Sequence, residues 1–294
     1  DSGDVGDEYN YRRPARDSVV IDTSVGDIRV VDNSPVSVSL VKKSIMRLPK
    51  SACLDFESRS EEMVDCPVVT TYRLCAGSPR VDVSVEFANL AQDHRLRAVF
   101  PTGIATDISH AEMPYDVVSR PARNPHETEG AVSFYPQKMW VDVNDGNKGL
   151  AILNRGLPEY ELYNDETASI AITMLRCVGV LSRNGDIPVG IPTPDAQCLG
   201  QHVFEYSIYP HAGTWEDARV WREAYAFNAP MMCVQTGPHD GDLTMEQSFV
   251  EVDASSVVVT AIKRAEDRNS LIVRLLNIGS KTVETVRLRV ANAC

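Results

Sequence analysis

"KMWVDVNDGNKGLAILN", residues 138–154, decides the fold. Two apolar runs, 138–143 and 150–154, flank "NDGNKG", and Asp145-Gly146 supplies the positive φ that a tight turn requires. The segment reads as strand, turn, strand. A calcium loop built on Asp142, Asn144 and Asp145 is the rival, but the glycine falls one place early and no glutamate stands at the twelfth position. Outward from this hairpin, apolar and polar residues alternate in "DIRVV" (27–31), "VSVSLV" (36–41), "VDVSVEF" (81–87), "VVVTAI" (257–262) and "VETVRLRV" (283–290). Period two is the mark of a half-buried strand. "SIAITMLRCV" (169–178) and "HVFEYSIY" (202–209) read as strands covered on both faces. Only "TWEDARVWREAYAFN" (214–228) has a helical pattern, with Thr214 and Asp217 in capping-box spacing and Ala218, Trp221, Ala224 and Tyr225 along one side. "SRNGDIPVGIPTPDAQCLG" (182–200) reads as a long loop, a length that usually marks function or a crossing between sheets. Many strands and one helix predict an all-β protein, a large antiparallel two-sheet sandwich.

The chain has 294 residues and a formal net charge of −12. That length suffices to bury a sizeable core, and it allows one large β domain or two smaller ones. The negative field repels phosphate backbones and anionic lipid, so nucleic-acid and membrane-surface partners are not expected. No run approaches the roughly 18 to 20 apolar residues that cross a bilayer, and the acidic front is unlike a signal peptide. Seven cysteines without CxxC spacing suggest thiols in a reducing compartment, hence a cytoplasmic location. The start at Asp1 without methionine, and the stop after an alternating run, suggest an excised piece with the last strands (257–294) truncated.

Catalytic signatures are missing. The six histidines lack the helical or HxH spacing of a zinc site. His202 and His211, nine apart on one strand, point to opposite faces. His110 and Glu112 share a strand face and form a potential acid/base couple, but a hydrogen-bonded structural histidine is the preferred account of His110. There is no nucleophile elbow and no phosphate-cradling glycine loop. Numerous acids leave a glycosidase carboxylate pair unassignable from spacing.

The front segment "GDEYNYRRP" (6–14) is the strongest site candidate. Carboxylates accept from sugar hydroxyl pairs, and aromatic rings cover the sugar's C–H faces while a phenol reaches one more oxygen. Asp7, Tyr9 and Tyr11 supply such groups on a loop loosened by Gly3 and Gly6; packing of the tyrosines on a sheet is the alternative. Arg120 precedes Pro121 where the chain leaves a strand, and it either clamps a substrate oxygen or pairs with a surface acid. Trp140 and Tyr135 read as core aromatics first and sugar platforms second.

Taken in order, "GDEYNYRRP", "RAVFPTG", "SHAEMPYDVVSRP", "MWVDVNDGNKGLAILNRGLPEYEL", "MLRCVGVLSR", "PDAQCLGQHVFEYSIYPHAG" and "REAYAFNAP" resemble the C-terminal β region of glycoside hydrolase family 38, in its bacterial branch of α-mannosidases and mannosylglycerate hydrolases. The resemblance implies a β supersandwich of the galactose-mutarotase-like type, here a single domain over 1–294 whose first 14 residues form a substrate-pocket loop. It implies for the parent enzyme a zinc-dependent, retaining hydrolysis of terminal α-mannosidic bonds. The family's nucleophile and zinc ligands belong to an N-terminal α/β barrel that nothing in these residues resembles. No catalytic residue, metal ligand or cofactor is therefore assigned to this fragment, which is expected to be inactive alone, with its own barrel domain and a mannoside as partners. A tyrosine of the family's β region reaches the mannose pocket, and Tyr9 matches it. Asp7 and Arg120 join Tyr9 as expected substrate-binding residues. Two alternatives stay open: a stand-alone carbohydrate-binding module, and a mutarotase-like aldose epimerase using His110 with Glu112 or His202 with Glu205.

Overall fold

The computed structural model describes residues 1–22, 24–122, 134–163, 165–184 and 187–291. The strands before the central hairpin are β1 (Ser2–Gly3), β2 (Asp27–Asn33), β3 (Ser37–Pro49), β4 (Met63–Cys75), β5 (Val81–Asn89), β6 (His94–Phe100), β7 (Ile108–Met113), β8 (Asp116–Pro121) and β9 (Phe134–Pro136). Then come β10 (Trp140–Asn144), β11 (Lys148–Arg155), β12 (Glu159–Leu162), β13 (Ile170–Arg176), β14 (Val180–Asn184), β15 (Ile187–Pro192) and β16 (Gly200–Ala212). The helix α1 (Val220–Asn228) and the strands β17 (Val250–Val252), β18 (Val257–Arg264), β19 (Leu271–Asn277) and β20 (Leu288–Val290) complete the order.

The deciding hairpin forms as read. β10 and β11 pair antiparallel from Trp140↔Leu153 to Asn144↔Gly149, around Gly146 at φ +86°. Asp145 closes the turn by accepting from the N–H groups of Asn147 and Lys148. Its carboxylate is spent on backbone, as an Asx turn requires.

Two sheets make the main sandwich, a nine-stranded one ordered β2-β3-β4-β5-β16-β11-β10-β7-β8 and a five-stranded one ordered β1-β6-β13-β12-β9. Their facing sides supply the core: Val83, Val85, Phe87, Val141 and Ile152 from the larger sheet, Tyr160, Leu162, Ile170 and Ile172 from the smaller. Phe100 and Tyr206 meet edge to face at 5.4 Å. The other side of the nine-stranded sheet carries Trp140, whose ring meets that of Trp215 at 5.5 Å, while Trp215 in turn meets Trp221 of α1 at 5.8 Å. Trp140 is thus a core residue with no face left for a sugar.

Three details differ from the sequence reading. The helix begins at Val220, six residues late, because Arg219 adopts φ +51° and ends the preceding turn. The Thr214–Asp217 reciprocal bonds form all the same and cap that turn. The supposed loop 182–200 holds most of an antiparallel hairpin, β14 with β15, followed by a 3-10 turn at Pro194–Gln197; residues 185 and 186 lie outside the described ones. The chain divides into two compact units, Asp1–Met113 with Val118–Asn228, and Pro114–Val117 with Ala229–Cys294. Every side chain from 229 to 249 is exposed, so this stretch buries nothing. In the second unit β17 pairs with β20 and β18 with β19, and of the strand read over 283–290 only Leu288–Val290 forms.

Candidate sugar-facing loop

β1 adds to the edge of the five-stranded sheet through Ser2↔Arg95 and Gly3↔His94, and the chain then turns outward as residues 4–12. Two aspartates shape that excursion. Asp4 Oδ1 accepts from the N–H of Gly6 at 2.9 Å and of Arg12 at 3.2 Å. Asp7 Oδ1 accepts from Tyr9 at 3.0 Å and Asn10 at 2.7 Å, while its Oδ2 accepts from Arg183 N–H at 2.8 Å. Backbone bonds Val5 N–H to Arg12 O and Asp7 N–H to Asn10 O close the neck. Gly6 is required here by close approach: a Cβ on it would stand 1.9 Å from Asn10 O.

Arginines grip the loop from β13 and β14. The Arg176 guanidinium donates to Asp4 Oδ2 at 2.7 Å, Asp7 O at 2.5 Å and Glu8 O at 3.3 Å. Arg183 donates from Nε to Gly6 O at 2.9 Å and stacks over Phe56 at 4.1 Å. The Tyr11 ring lies 4.9 Å from the Arg95 guanidinium, itself fully buried and bonded to Glu159 and Thr173. Tyr11 anchors, and Tyr9 projects: its side chain is 70% exposed at the tip. Burial pushes the Asp7 carboxyl up, but its three backbone N–H bonds outweigh that and hold it below the usual carboxylate range. Burial raises the Asp4 pKa in spite of the Arg176 ion pair.

The structure therefore brings Asp7 and Tyr9 together, with Asp7 buried beneath the tip as a positioning group and Tyr9 facing outward. Arg120 lies elsewhere. It donates to Pro136 O at 2.5 Å and stacks over Tyr135 at 5.1 Å, beside β9, the far edge of the five-stranded sheet from β1. Four strand spacings of about 4.8 Å separate those edges, on the order of 19 Å. Tyr135 turns its hydroxyl to Pro121 O.

The remaining acid/base candidates are engaged in structure. His110 Nδ1 meets Ser119 Oγ at 3.0 Å, and burial lowers its pKa. Glu112 Oε1 accepts from Lys138 Nζ at 3.2 Å and Tyr225 Oη at 3.1 Å, while burial raises its pKa and its Oε2 has no hydrogen-bond partner. His202 bonds the Cys198 carbonyl at 2.6 Å and Glu205 pairs with Arg155 at 2.8 Å, so these two do not meet. Buried His211 and Asp142 approach to 2.7 Å, with Asn144 on the other Asp142 oxygen at 2.6 Å. Among the described residues no group of three or more His, Cys, Asp or Glu could hold a metal ion, and this buried pair with an amide is too small a donor set for zinc. No helix among them is long and apolar enough to cross a membrane.

Residues 1–180 match the model of the glycosyl hydrolases family 38 C-terminal domain, and residues 256–294 match that of the family's C-terminal beta sandwich domain. The chain belongs to glycoside hydrolase family 38. The "Putative mannosylglycerate hydrolase" of Halalkalibacterium halodurans is 30% identical over 294 residues, covering 94% of this chain and 32% of that relative. Alpha-mannosidase G of Dictyostelium discoideum is 27% identical over 201 residues, covering 67% of this chain and 17% of that protein. The crystal structure of an alpha-mannosidase from Enterococcus faecalis V583 superposes with a TM-score of 0.89 at 30% identity, covering 98% of this chain and 34% of that one. This family 38 chain thus spans about a third of the length of the bacterial relatives it matches.

The sequence reading missed Asp4, Arg176 and Arg183. A signal for Asp4 was available, since "DSGDVGD" holds Asp-x-Gly twice, and in the second copy Asp4 forms an Asx turn with the Gly6 N–H. The arginines carry no local signal. They lie more than 160 residues away and meet the loop only through the sheet.

Proposed function

We propose that this chain is the non-barrel β domain of a retaining, cytoplasmic α-mannosidase, and that it braces a catalytic domain and presents Tyr9 to the terminal mannose of the substrate. The supporting observation is an exposed phenol at the tip of a loop whose neck is fixed by two carboxylates and two guanidinium groups. A flexible loop would lose binding energy to ordering; a pinned one does not. Tyr9 Oη donates to or accepts from one sugar hydroxyl, its ring covers a C–H face, and Asp7 keeps the tip in place from below. Arg120 stays outside this arrangement. The bond-breaking groups, including the zinc that family 38 enzymes employ, are assigned to the other domain, and the isolated chain is silent because positioning groups act only on a substrate held at a nucleophile.

The test pairs two assays with an aryl α-mannoside. The isolated chain is expected to give no turnover above background. In the full-length enzyme Tyr9→Phe is expected to lower kcat/KM by about 10-fold or more, as loss of one hydrogen bond to substrate implies. Unchanged kcat/KM in Tyr9→Phe and in Tyr9→Ala together would refute the role.

A further inference from the structure

Two cysteines meet at the base of the β14–β15 hairpin. Cys177 directly follows β13 and is fully buried, and its N–H donates to His94 O at 2.8 Å. Cys198 ends the 3-10 turn at φ +49° and is half-buried. Val178 N–H to Ala196 O at 3.2 Å and Thr193 N–H to Gly179 O at 3.0 Å tie the two chain segments side by side. Buried Asn89 straddles them: its Nδ2 donates to Cys177 Sγ at 3.4 Å, Gln197 O at 3.1 Å and Cys198 O at 3.0 Å. Both thiols are free, and they hydrogen-bond each other. Thiols already in contact need a movement on the order of 2 Å to reach the length of a sulfur–sulfur bond.

What this base supports is the neck of the Tyr9 loop. Arg176, one residue before Cys177, holds Asp4 and Asp7. Arg183, on β14, gives its N–H to Asp7 Oδ2 and its Nε to Gly6 O. Gln197, one residue before Cys198, bonds Asp93 through both ends of its amide, and Asp93 O accepts from Asp4 N–H at 2.9 Å. Among the described residues β14 and β15 pair with no other strand. A two-stranded ribbon is marginal by itself, so the ribbon that carries Arg183 depends on its base.

We propose that Cys177 and Cys198 form a reversible redox latch: a disulfide between them clamps the base of the ribbon and stiffens the Tyr9 loop, and reduction releases it. The oxidant is a low-molecular-weight disulfide such as oxidised glutathione. The thiolate of Cys198, the more accessible of the two, attacks one glutathione sulfur; a glutathione thiolate leaves and takes up the proton that Cys198 gave up. The Cys177 thiolate then attacks the Cys198 sulfur, and the second glutathione leaves as a thiol with the Cys177 proton. Two cysteine thiols lose two electrons, and one glutathione disulfide is reduced to two thiols. Burial holds both cysteine thiols above their ordinary range, so thiolate is scarce at neutral pH and the latch answers a sustained change of redox state, not a brief one. The clamp acts on the loop whatever Tyr9 touches.

Peptide mapping and amide hydrogen exchange of the full-length enzyme test this after equilibration at about pH 8.5, where thiolate is more abundant, with reduced or oxidised glutathione. In oxidised glutathione the Cys177–Cys198 cross-linked peptide is expected, lost again with dithiothreitol. Exchange at residues 9, 10 and 183 is then expected to slow by about 10-fold or more, because the cross-link disfavours the open ribbon. Cys198→Ser keeps a donor for Ala196 O and is expected to exchange like the reduced wild type in both buffers. No cross-linked peptide, or a glutathione adduct at Cys198 that Cys177 does not resolve, overturns the latch. So does a cross-linked protein whose residues 9, 10 and 183 exchange at the reduced rate, or a redox response that survives in Cys198→Ser.

Discussion

Asp7→Ala removes one carboxylate that accepts from the N–H groups of Tyr9, Asn10 and Arg183. A hydrogen bond to a charged acceptor contributes about 1.5–3 kcal/mol when its donor is stranded, and about 0.5–1.5 kcal/mol when water replaces the acceptor. Tyr9 and Asn10 stand at the exposed tip, so water reaches their N–H groups; the Arg183 N–H is half-buried and does not recover fully. The sum is about 2.5–6 kcal/mol, concentrated in the loop. Asp7→Asn keeps one acceptor oxygen for Tyr9 and Asn10 but turns an NH2 toward the Arg183 N–H, for a loss of about 1–2 kcal/mol. Site-resolved hydrogen exchange at residues 9, 10 and 183, with urea unfolding alongside, reads both. Faster exchange at all three amides in Asp7→Ala, and at Arg183 mainly in Asp7→Asn, is expected. Native-like protection at these amides in Asp7→Ala would refute the assignment of Asp7 as the loop's positioning group.

Three further outcomes follow from the same geometry. Gly6→Ala places a methyl 1.9 Å from Asn10 O, so the neck must open; a loss of about 2–4 kcal/mol is expected in denaturant unfolding, and a wild-type midpoint would contradict the close approach. Glu112 has a folded pKa raised above its unfolded value, so the stability it contributes is present below about pH 4.3 and lost as pH rises through the folded pKa. Glu112→Gln keeps the Oε1 acceptor and removes the titration, so its Tm should match wild type near pH 4 and exceed it at pH 7; parallel curves would contradict this. Asp7 shifts the other way: its stabilisation is present above about pH 3.9 and is lost as pH falls through its lower folded pKa, so acid should loosen the loop in wild type but add nothing in Asp7→Ala.

The β architecture was legible because its signals are local. "NDGNKG" encodes its own turn, and alternation in 81–87 marks β5 residue by residue. The helix start was misplaced because Thr214 and Asp217 make the capping bonds of a helix that Arg219 then prevents. β14 and β15 were hidden by Pro188 and Pro192, which argue for a loop yet are tolerated in a two-stranded ribbon. In the site, Tyr9 and Asp7 could be picked out because they lie two residues apart. Where Arg120 stands relative to Tyr9 could not be read from the sequence, since that distance depends on the order of five strands. Arg176 and Arg183 escaped notice for the same reason.

The most direct test of the central claim is a crystal structure of the full-length enzyme with mannose bound. The account predicts Tyr9 Oη within about 2.7–3.2 Å of a sugar hydroxyl, with the loop neck unchanged. A sugar bound in the catalytic pocket with the Tyr9 phenol beyond about 6 Å, and no water bridging them, would contradict it.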